Sequence, residues 1–191
     1  MRVTVYLADV SRLDIPRALG AVTGARREKA LRLRTDDSKR RSLGAALLTY
    51  KAVNGGVPFD PLYGDCGKPY FPDGPGFSVS HSGKFAACAV AERDVGLDIE
   101  TLRPINRAAA QRYFTPEERS LLHTDEDFTR LWIKRESLGK LVGCGILPLP
   151  GDAGERFTTE LLRCGELFIA VSTELGFPPE PVLLWDGLRD F

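Results

Sequence analysis

Two acidic clusters are the residues of this sequence best suited to chemistry. In the first, Asp98 and Glu100 alternate with apolar residues, so a strand would place both carboxylates on one face. In the second, Trp132, Glu136 and Lys140 follow one another at intervals of four, so a helix would align them along one side. If the strand and the helix meet, three carboxylates converge beside an ammonium group. Hard oxygen ligands next to a cation suit Mg²⁺ bound to a phosphorylated substrate.

Each acidic cluster also has a plainer interpretation. Asp98 and Glu100 could lie on the solvated face of a strand, which often carries acids. Glu136 could be half of an ordinary surface ion pair, because its segment is rich in bases. Only the combination of the two clusters favours a metal site.

The composition is that of an ordinary globular protein. Of 191 residues, 43% are hydrophobic and 27% are charged, so we expect a proper core in one large domain or two fused halves. Lys and Arg together number 26, as do Asp and Glu. The balanced chain therefore has no overall field to attract nucleic acid or an anionic membrane, and any anion site must be local.

Cysteine and hydropathy patterns predict a cytoplasmic protein. The four cysteines form no CxxC pair and there are only two histidines, which favours reduced thiols over a structural zinc site. The apolar run at the N-terminus is too short for a signal peptide. No apolar stretch approaches the roughly 20 residues that span a bilayer.

The elements that must position the acids follow from periodicity and from turn and cap signals. Alternating or apolar runs predict strands at residues 2–8, 77–80, 85–91, 95–100, 157–162, 167–172 and 181–185. Helices are predicted at residues 25–34, 36–53 and 128–142, and a further helix starts at a capping box of Thr115 and Glu118. Asp36 and Asp37 are N-cap candidates. Residues 92–94 predict a hairpin turn between two of the strands.

This order of elements predicts an α+β protein made of two halves that join near residues 93–100. We place the boundary between residues 1–94 and 95–191. The sequence contains no GxGxxG and no Walker-type loop, so Rossmann and P-loop folds are disfavoured.

Two further segments could bind an anion. Residues 26–41 hold eight bases against three acids, which indicates either a solvated helical face or a site for a terminal phosphate. The turn at Ser80, His81, Ser82 and Gly83 offers several donors to a phosphate, although a capped structural turn fits it equally.

Five motifs along the chain together resemble the Sfp-type 4′-phosphopantetheinyl transferases. They are a glycine-lysine-proline loop at residues 67–69, the serine-histidine-serine-glycine turn at 80–83, an arginine-aromatic-phenylalanine element at 112–114, a G-[IV]-D-[IVL]-E stretch at 96–100 and a W-x-x-K-E-[AS]-x-x-K helix at 132–140. The chain departs from the last pattern at one position, where Arg135 replaces the lysine of the family. Arginine keeps the positive charge but cannot give up a proton at neutral pH.

The resemblance implies a fold of two pseudo-symmetric α+β halves with the active site between them. It implies transfer of the 4′-phosphopantetheine group of coenzyme A to a serine of an apo acyl or peptidyl carrier protein, with release of 3′,5′-ADP. Carrier proteins of peptide and polyketide synthesis are the partners of this family, and the enzyme is expected to be a monomer.

The resemblance also implies roles for individual residues. Asp98, Glu100 and Glu136 would hold Mg²⁺, or Mn²⁺ in its place. Glu136 would take the serine proton, directly or through a metal-bound water, and Lys140 and Arg135 would neutralise phosphate charge. The residues implied in binding coenzyme A are Arg26, Lys29, Ser42, Lys68, Ser80 and His81.

Two other functions use the same acids. A divalent-metal hydrolase of a nucleotide pyrophosphate would consume coenzyme A without a carrier protein. An inactive module would bind coenzyme A without consuming it, although the intact set of three acids argues against that function.

Overall fold

The computed structural model describes residues 1–146, 156–185 and 188, so the predicted second half, 95–191, reaches beyond the described part. The first half contains β1 (Arg2–Asp9), α1 (Ile15–Gly20), α2 (Gly24–Leu31), α3 (Asp36–Asn54), β2 (Leu62–Tyr63), β3 (Pro69–Tyr70), β4 (Gly76–Ser82) and β5 (Phe85–Ala91). The second half contains β6 (Gly96–Glu100), α4 (Arg107–Tyr113), α5 (Pro116–Ser120), α6 (Asp125–Val142), β7 (Phe157–Cys164), β8 (Leu167–Glu174) and β9 (Glu180–Trp185). Among the described residues, no helix is long and apolar enough to cross a membrane.

The two halves repeat one arrangement of a long helix and three antiparallel strands. In the first half the strands lie in the order β4-β5-β1, with α3 between β1 and β4 in the chain. In the second half they lie in the order β7-β8-β6, with α6 between β6 and β7. Each strand therefore has a counterpart in the other half, which confirms the predicted α+β fold with two pseudo-symmetric halves.

One strand crosses between the halves. β9 lies in the second half of the sequence but pairs in parallel with β1, at the outer edge of the first sheet. The chain also passes from one sheet to the other between β5 and β6, close to the boundary proposed after residue 94. The first structural unit thus combines residues of both predicted domains.

Apolar burial stacks these elements in four layers. α3 covers one face of the first sheet, with Leu43 and Leu47 in that core. The opposite face of the first sheet packs on the second sheet, where Val5 of β1 and Ile99 of β6 belong to one buried cluster. α6 covers the outer face of the second sheet through Ile133. Removing this apolar surface from water is the main stabilising contribution to such a fold.

Both long helices begin at a threonine and end at a left-handed glycine. Thr35 caps α3 by accepting from the Ser38 amide, and Gly55 ends that helix with φ 60°. The prediction that Asp36 or Asp37 is the N-cap is wrong, because both lie in the first turn, where carboxylates favour the helix dipole. Thr124 begins α6 in a capping box with Asp127, so α6 starts earlier than the predicted residue 128. The predicted capping box of Thr115 and Glu118 is confirmed at the start of α5.

The predicted hairpin at residues 92–94 is wrong. β5 already pairs with β4 on one edge and with β1 on the other, so it has no edge left for β6. β6 instead pairs with β8 of the second sheet. The hairpin of this region joins β4 to β5, and Gly83 turns it with φ 54°.

Gly96 lets the backbone of α6 lie directly on β6. A Cβ at this position would stand 1.9 Å from the Ser137 carbonyl oxygen and 2.8 Å from the Leu141 amide nitrogen. Both obstacles are backbone atoms of a helix, so they cannot move aside as a flexible side chain would. The distance between the acids of β6 and the side chains of α6 therefore depends on a glycine here.

We expect Gly96→Ala to lower the free energy of unfolding by about 3 kcal/mol, because α6 must shift to admit the methyl group. Gly24→Ala is the matched control, since nothing lies within 4 Å of its added Cβ. Urea unfolding of both variants measures the difference. Equal stability of Gly96→Ala and the wild type would contradict the close packing of α6 on β6.

Candidate active site

Three serines of β4 join the two sheets by accepting hydrogen bonds from backbone amides of β6 and of Thr101, which follows it. We call them the serine ladder: Ser78 accepts from Leu97 at 3.0 Å, Ser80 from Ile99 at 3.3 Å and Ser82 from Thr101 at 3.2 Å. Backbone amides of a strand alternate between its two edges, and β8 pairs with the other edge of β6. The ladder thus satisfies amides that would otherwise be buried without partners.

The two acids of β6 stand beside this ladder. Oδ1 of Asp98 accepts from Ser80 Oγ and from Lys140 Nζ, each at 2.7 Å, and the Asp98 residue is only 5% exposed. Oε2 of Glu100 accepts from the Ser82 hydroxyl, and Oε1 accepts from Arg103 at 2.8 Å. Burial raises the pKa of Glu100, and the neighbouring Asp98 charge adds to that effect while Ser82 and Arg103 oppose it.

Glu136 reaches the same place from α6. Its half-buried carboxylate makes no hydrogen bond or ion pair with any residue that the structure describes. Burial is the largest cause that raises the pKa of Glu136 to about 6, and the negative charges of Asp98 and Glu100 raise it further against the opposing charge of Lys140. The structure therefore brings together the acids that the strand and helix spacings predicted, with Lys140 beside them.

The chemistry of this donor set fits a hard divalent cation. Three carboxylates face the ammonium of Lys140 and the guanidinium of Arg103, and their mutual repulsion is what a cation would relieve. In the described ranges, however, no three such side chains are already arranged to hold an ion. The present partners of Asp98 and Glu100 are the serines and bases described above.

A basic cleft of about 430 Å³ lies against the opposite face of β4. It is lined by four of the six residues that the resemblance implied for coenzyme A, namely Arg26, Lys29, Ser42 and His81. Its wall also contains residues that the sequence reasoning missed, among them Arg41, Tyr50, Phe59 and Tyr63. The excess of bases in residues 26–41 was a signal for Arg41, whereas no local pattern marked the aromatic residues.

His81 lines the basic cleft, and its surroundings lower the pKa of its imidazole. Desolvation is the largest cause that lowers its pKa, and the positive charges of Lys140 and Arg41 lower it further, although part of the ring is open to the cleft. His81 therefore lies within electrostatic reach of Arg41 in the basic cleft and of Lys140 beside the acids.

A second cleft, of about 280 Å³, lies beside the first and next to α6. Pro69, Phe77 and Val79 line both clefts, and Lys140 lies in the wall of the second. Lys68 also lines the second cleft, but its ammonium bonds to Asp94 and to the Leu141 carbonyl, both at 2.9 Å. Lys68 thus fixes its loop to the end of α6.

Ser80 does not line either cleft. Side chains alternate along a strand, so His81 faces the basic cleft while Ser80 faces β6 and is 5% exposed. The resemblance implied a contact between Ser80 and coenzyme A, and in this structure the Ser80 hydroxyl donates to Asp98.

Arg135 is not brought to the acids. Its guanidinium forms a two-pronged ion pair with Glu118, with Nε 3.1 Å from Oε1, and the side chain is only 7% exposed. Successive residues of a helix point in different directions, so the neighbour of Glu136 lies on another side of α6. Glu118 also accepts from the Thr115 amide. The pair therefore anchors α5 to α6, and the catalytic role implied for Arg135 has no support in this geometry.

Comparisons with known proteins identify the relatives of this chain. The model of the 4′-phosphopantetheinyl transferase superfamily matches residues 94–164. A 4′-phosphopantetheinyl transferase of Bacillus subtilis is 35% identical in an alignment that covers 88% of this chain and 77% of the relative. The 4′-phosphopantetheinyl transferase Sfp of Bacillus subtilis strain 168 is 33% identical, with 84% of this chain and 75% of the relative covered.

A shorter match is found with the 4′-phosphopantetheinyl transferase psf-1 of Bacillus pumilus, which is 40% identical over 37% of this chain and 33% of the relative. The family model covers β6, α6 and the acids they carry, and the two long alignments extend the likeness over most of both halves. The chain therefore belongs to the 4′-phosphopantetheinyl transferase superfamily.

Proposed function

We propose that this protein transfers the 4′-phosphopantetheine group of coenzyme A to a serine of an apo acyl or peptidyl carrier protein and releases 3′,5′-ADP. The observation that carries this proposal is that the two clefts share a wall, formed by Pro69, Phe77 and Val79. The first cleft is basic, and the second is lined by Lys140, which contacts the buried Asp98. Membership of the family supports the same reaction.

Coenzyme A would lie along the two clefts. The 3′-phosphate is a compact dianion, and Arg26, Lys29, Ser42 and His81 offer it cationic and hydrogen-bonding groups within one cavity. The loop around Lys68 would line the adenosine side, since it forms the wall of the adjoining cleft. The pyrophosphate would then lie near Lys140 and the acids.

Glu136 is suited to take the proton of the carrier serine. With a pKa of about 6, its carboxylate is mostly ionised at neutral pH yet more basic than an ordinary glutamate. The serine oxygen bonds to the β-phosphorus as its proton passes to Glu136, and the bond from that phosphorus to the leaving 3′,5′-ADP breaks. Lys140 neutralises charge on the phosphates, which is the main task of a protein in phosphoryl transfer.

Asp98, Glu100 and Glu136 would hold Mg²⁺, or Mn²⁺ in its place. A bound divalent ion would neutralise and orient the pyrophosphate. Both halves line the second cleft, so one chain contains the whole site. We therefore propose that the protein acts as a monomer in the cytoplasm, with a carrier protein as partner and with neither nucleic acid nor membrane involved.

Intact mass spectrometry of an apo carrier protein, incubated with this protein, coenzyme A and Mg²⁺, tests the function. We expect a gain of one phosphopantetheinyl group per carrier, which EDTA abolishes. Glu136→Gln should lower the rate constant about 10²- to 10⁴-fold, because it removes the base and a charge of the metal site. Loss of coenzyme A without a carrier would favour the hydrolase, and tight binding without turnover on any carrier would favour the inactive module.

The raised pKa of Glu136 predicts how stability depends on pH in the metal-free protein. A raised carboxyl pKa disfavours the charged form in the folded state, so the contribution of Glu136 to stability falls as pH rises from 4.5 to above 6. Glu136→Gln does not titrate. Its free energy of unfolding, compared with that of the wild type, should therefore be about 1 kcal/mol higher at pH 7.5 than at pH 4.5, which is about half the value for a fully buried group.

Urea unfolding in EDTA at the two pH values makes this measurement. Glu160→Gln, at an exposed position of β7, is the matched control and should show no such pH-dependent gain. The same relative stability of Glu136→Gln at both pH values would mean that the carboxylate is not held in a desolvated, negatively charged environment.

Arg135→Lys tests whether Arg135 anchors α5 or takes part in the chemistry. Lysine keeps the charge but cannot form the two-pronged pair with Glu118, so we expect the free energy of unfolding to fall by about 2 kcal/mol. Glu118→Gln should have a similar effect, and the double variant should cost less than the sum. The turnover number of the folded fraction should fall far less than in Glu136→Gln. A large loss of turnover with unchanged stability would restore the catalytic role.

A further inference from the structure

The serines of β4 differ in what their hydroxyl groups donate to. Ser80 accepts from the Ile99 amide and donates to Asp98, and Ser82 accepts from the Thr101 amide and donates to Glu100. In both cases the amide belongs to the residue that follows the acid. The same two-bond unit therefore occurs twice, at the two acids of β6.

Each unit fixes the direction of the hydroxyl hydrogen. A serine hydroxyl has one hydrogen and two lone pairs, so an amide that occupies a lone pair orients the hydrogen toward the remaining acceptor. Ser80 and Ser82 are 5% and 7% exposed, which keeps water from competing for these bonds. A hydrogen bond to an ionised carboxylate in such a place is short and strong.

Each carboxylate accepts hydrogen bonds from a serine and from a basic residue. Ser80 and Lys140 both donate to Oδ1 of Asp98, so within the described residues its hydrogen bonds leave Oδ2 to other ligands. Ser82 and Arg103 each donate to a different oxygen of Glu100. Neither carboxylate can turn without breaking a serine bond.

We propose that Ser80 and Ser82 are positioning residues, which orient Asp98 and Glu100 of the second half to bind the divalent cation from their place in the first half. This inference rests on the proposed function, because it assumes that these acids bind the metal. It gives β4 two tasks on its two faces. His81 faces the cleft for coenzyme A, and the serines on either side of it hold the metal ligands.

Ser78 provides a control within the same ladder. It accepts from the Leu97 amide at 3.0 Å, as its neighbours do from theirs, and it is equally buried. The residue that precedes Leu97 is Gly96, which has no carboxylate. Ser78→Ala therefore removes one bond between the halves and leaves both acids with their serines.

Titration of the metal-free protein with Mn²⁺ alone, followed by electron paramagnetic resonance, tests the proposal. We expect Ser80→Ala and Ser82→Ala to weaken Mn²⁺ binding about 10- to 100-fold, as loss of a group that orients a metal ligand does. Ser78→Ala should change it less than about twofold. Ser80→Thr, which keeps the hydroxyl, should restore most of the affinity.

Thermal melts of all variants separate positioning from folding. If an alanine variant does not fold, Ser80→Cys serves instead, because its thiol fills the position but is a weak donor. If the three alanine variants lose Mn²⁺ affinity equally, or if none of them loses it, the positioning role is wrong. Transfer by the wild type would still uphold the proposed function in that case. The opposite outcome is also distinguishable. If only the Ser80 and Ser82 variants lose Mn²⁺ affinity and the wild type modifies no carrier, the positioning role is upheld and the proposed function is refuted.

Discussion

The structure depends on how the two edges of β6 are hydrogen-bonded. One edge pairs with β8 and builds the second sheet, and the other meets the serine ladder of β4 and joins the two halves. A buried strand cannot leave either set of amides without partners, because each lost bond costs about 1–3 kcal/mol. The serines meet this requirement with side chains rather than backbone. Their hydroxyl groups therefore also have a hydrogen to offer, and Asp98 and Glu100 receive it.

The position of α6 follows from the same strand. Gly96 is the first residue of β6, and it lets the helix backbone lie against the strand. Lys140 can therefore reach Asp98, and Glu136 can approach both acids. The far side of the helix is fixed by the buried pair of Arg135 and Glu118. The face of α6 that carries Glu136 and Lys140 is thus oriented by contacts on its other sides. This explains how adjacent residues of one motif, Arg135 and Glu136, have separate tasks.

Much of this could be predicted from the sequence because the signals are local. Alternation predicted that Asp98 and Glu100 share a face, and intervals of four predicted that Glu136 and Lys140 share a side. Motif order then indicated the family and its pseudo-symmetric fold. The failures were of another kind. The hairpin at residues 92–94 is locally plausible, and only the occupied edges of β5 exclude it. Ser80 belongs to a motif that resembles a phosphate site, and only its place in β4, facing a neighbouring sheet, directs it to Asp98.

The sequence by itself determined the chemical identity of the site, namely three carboxylates, a lysine and a basic segment, because residue type and period are properties of the chain alone. The tertiary structure decided which partner each of these groups has. It assigned the serines to the acids, Arg135 to Glu118, Lys68 to Asp94, and β9 to the sheet of the first half. These contacts join residues far apart in the chain, and they form because packing two sheets and two helices leaves each buried polar group only a few partners within reach.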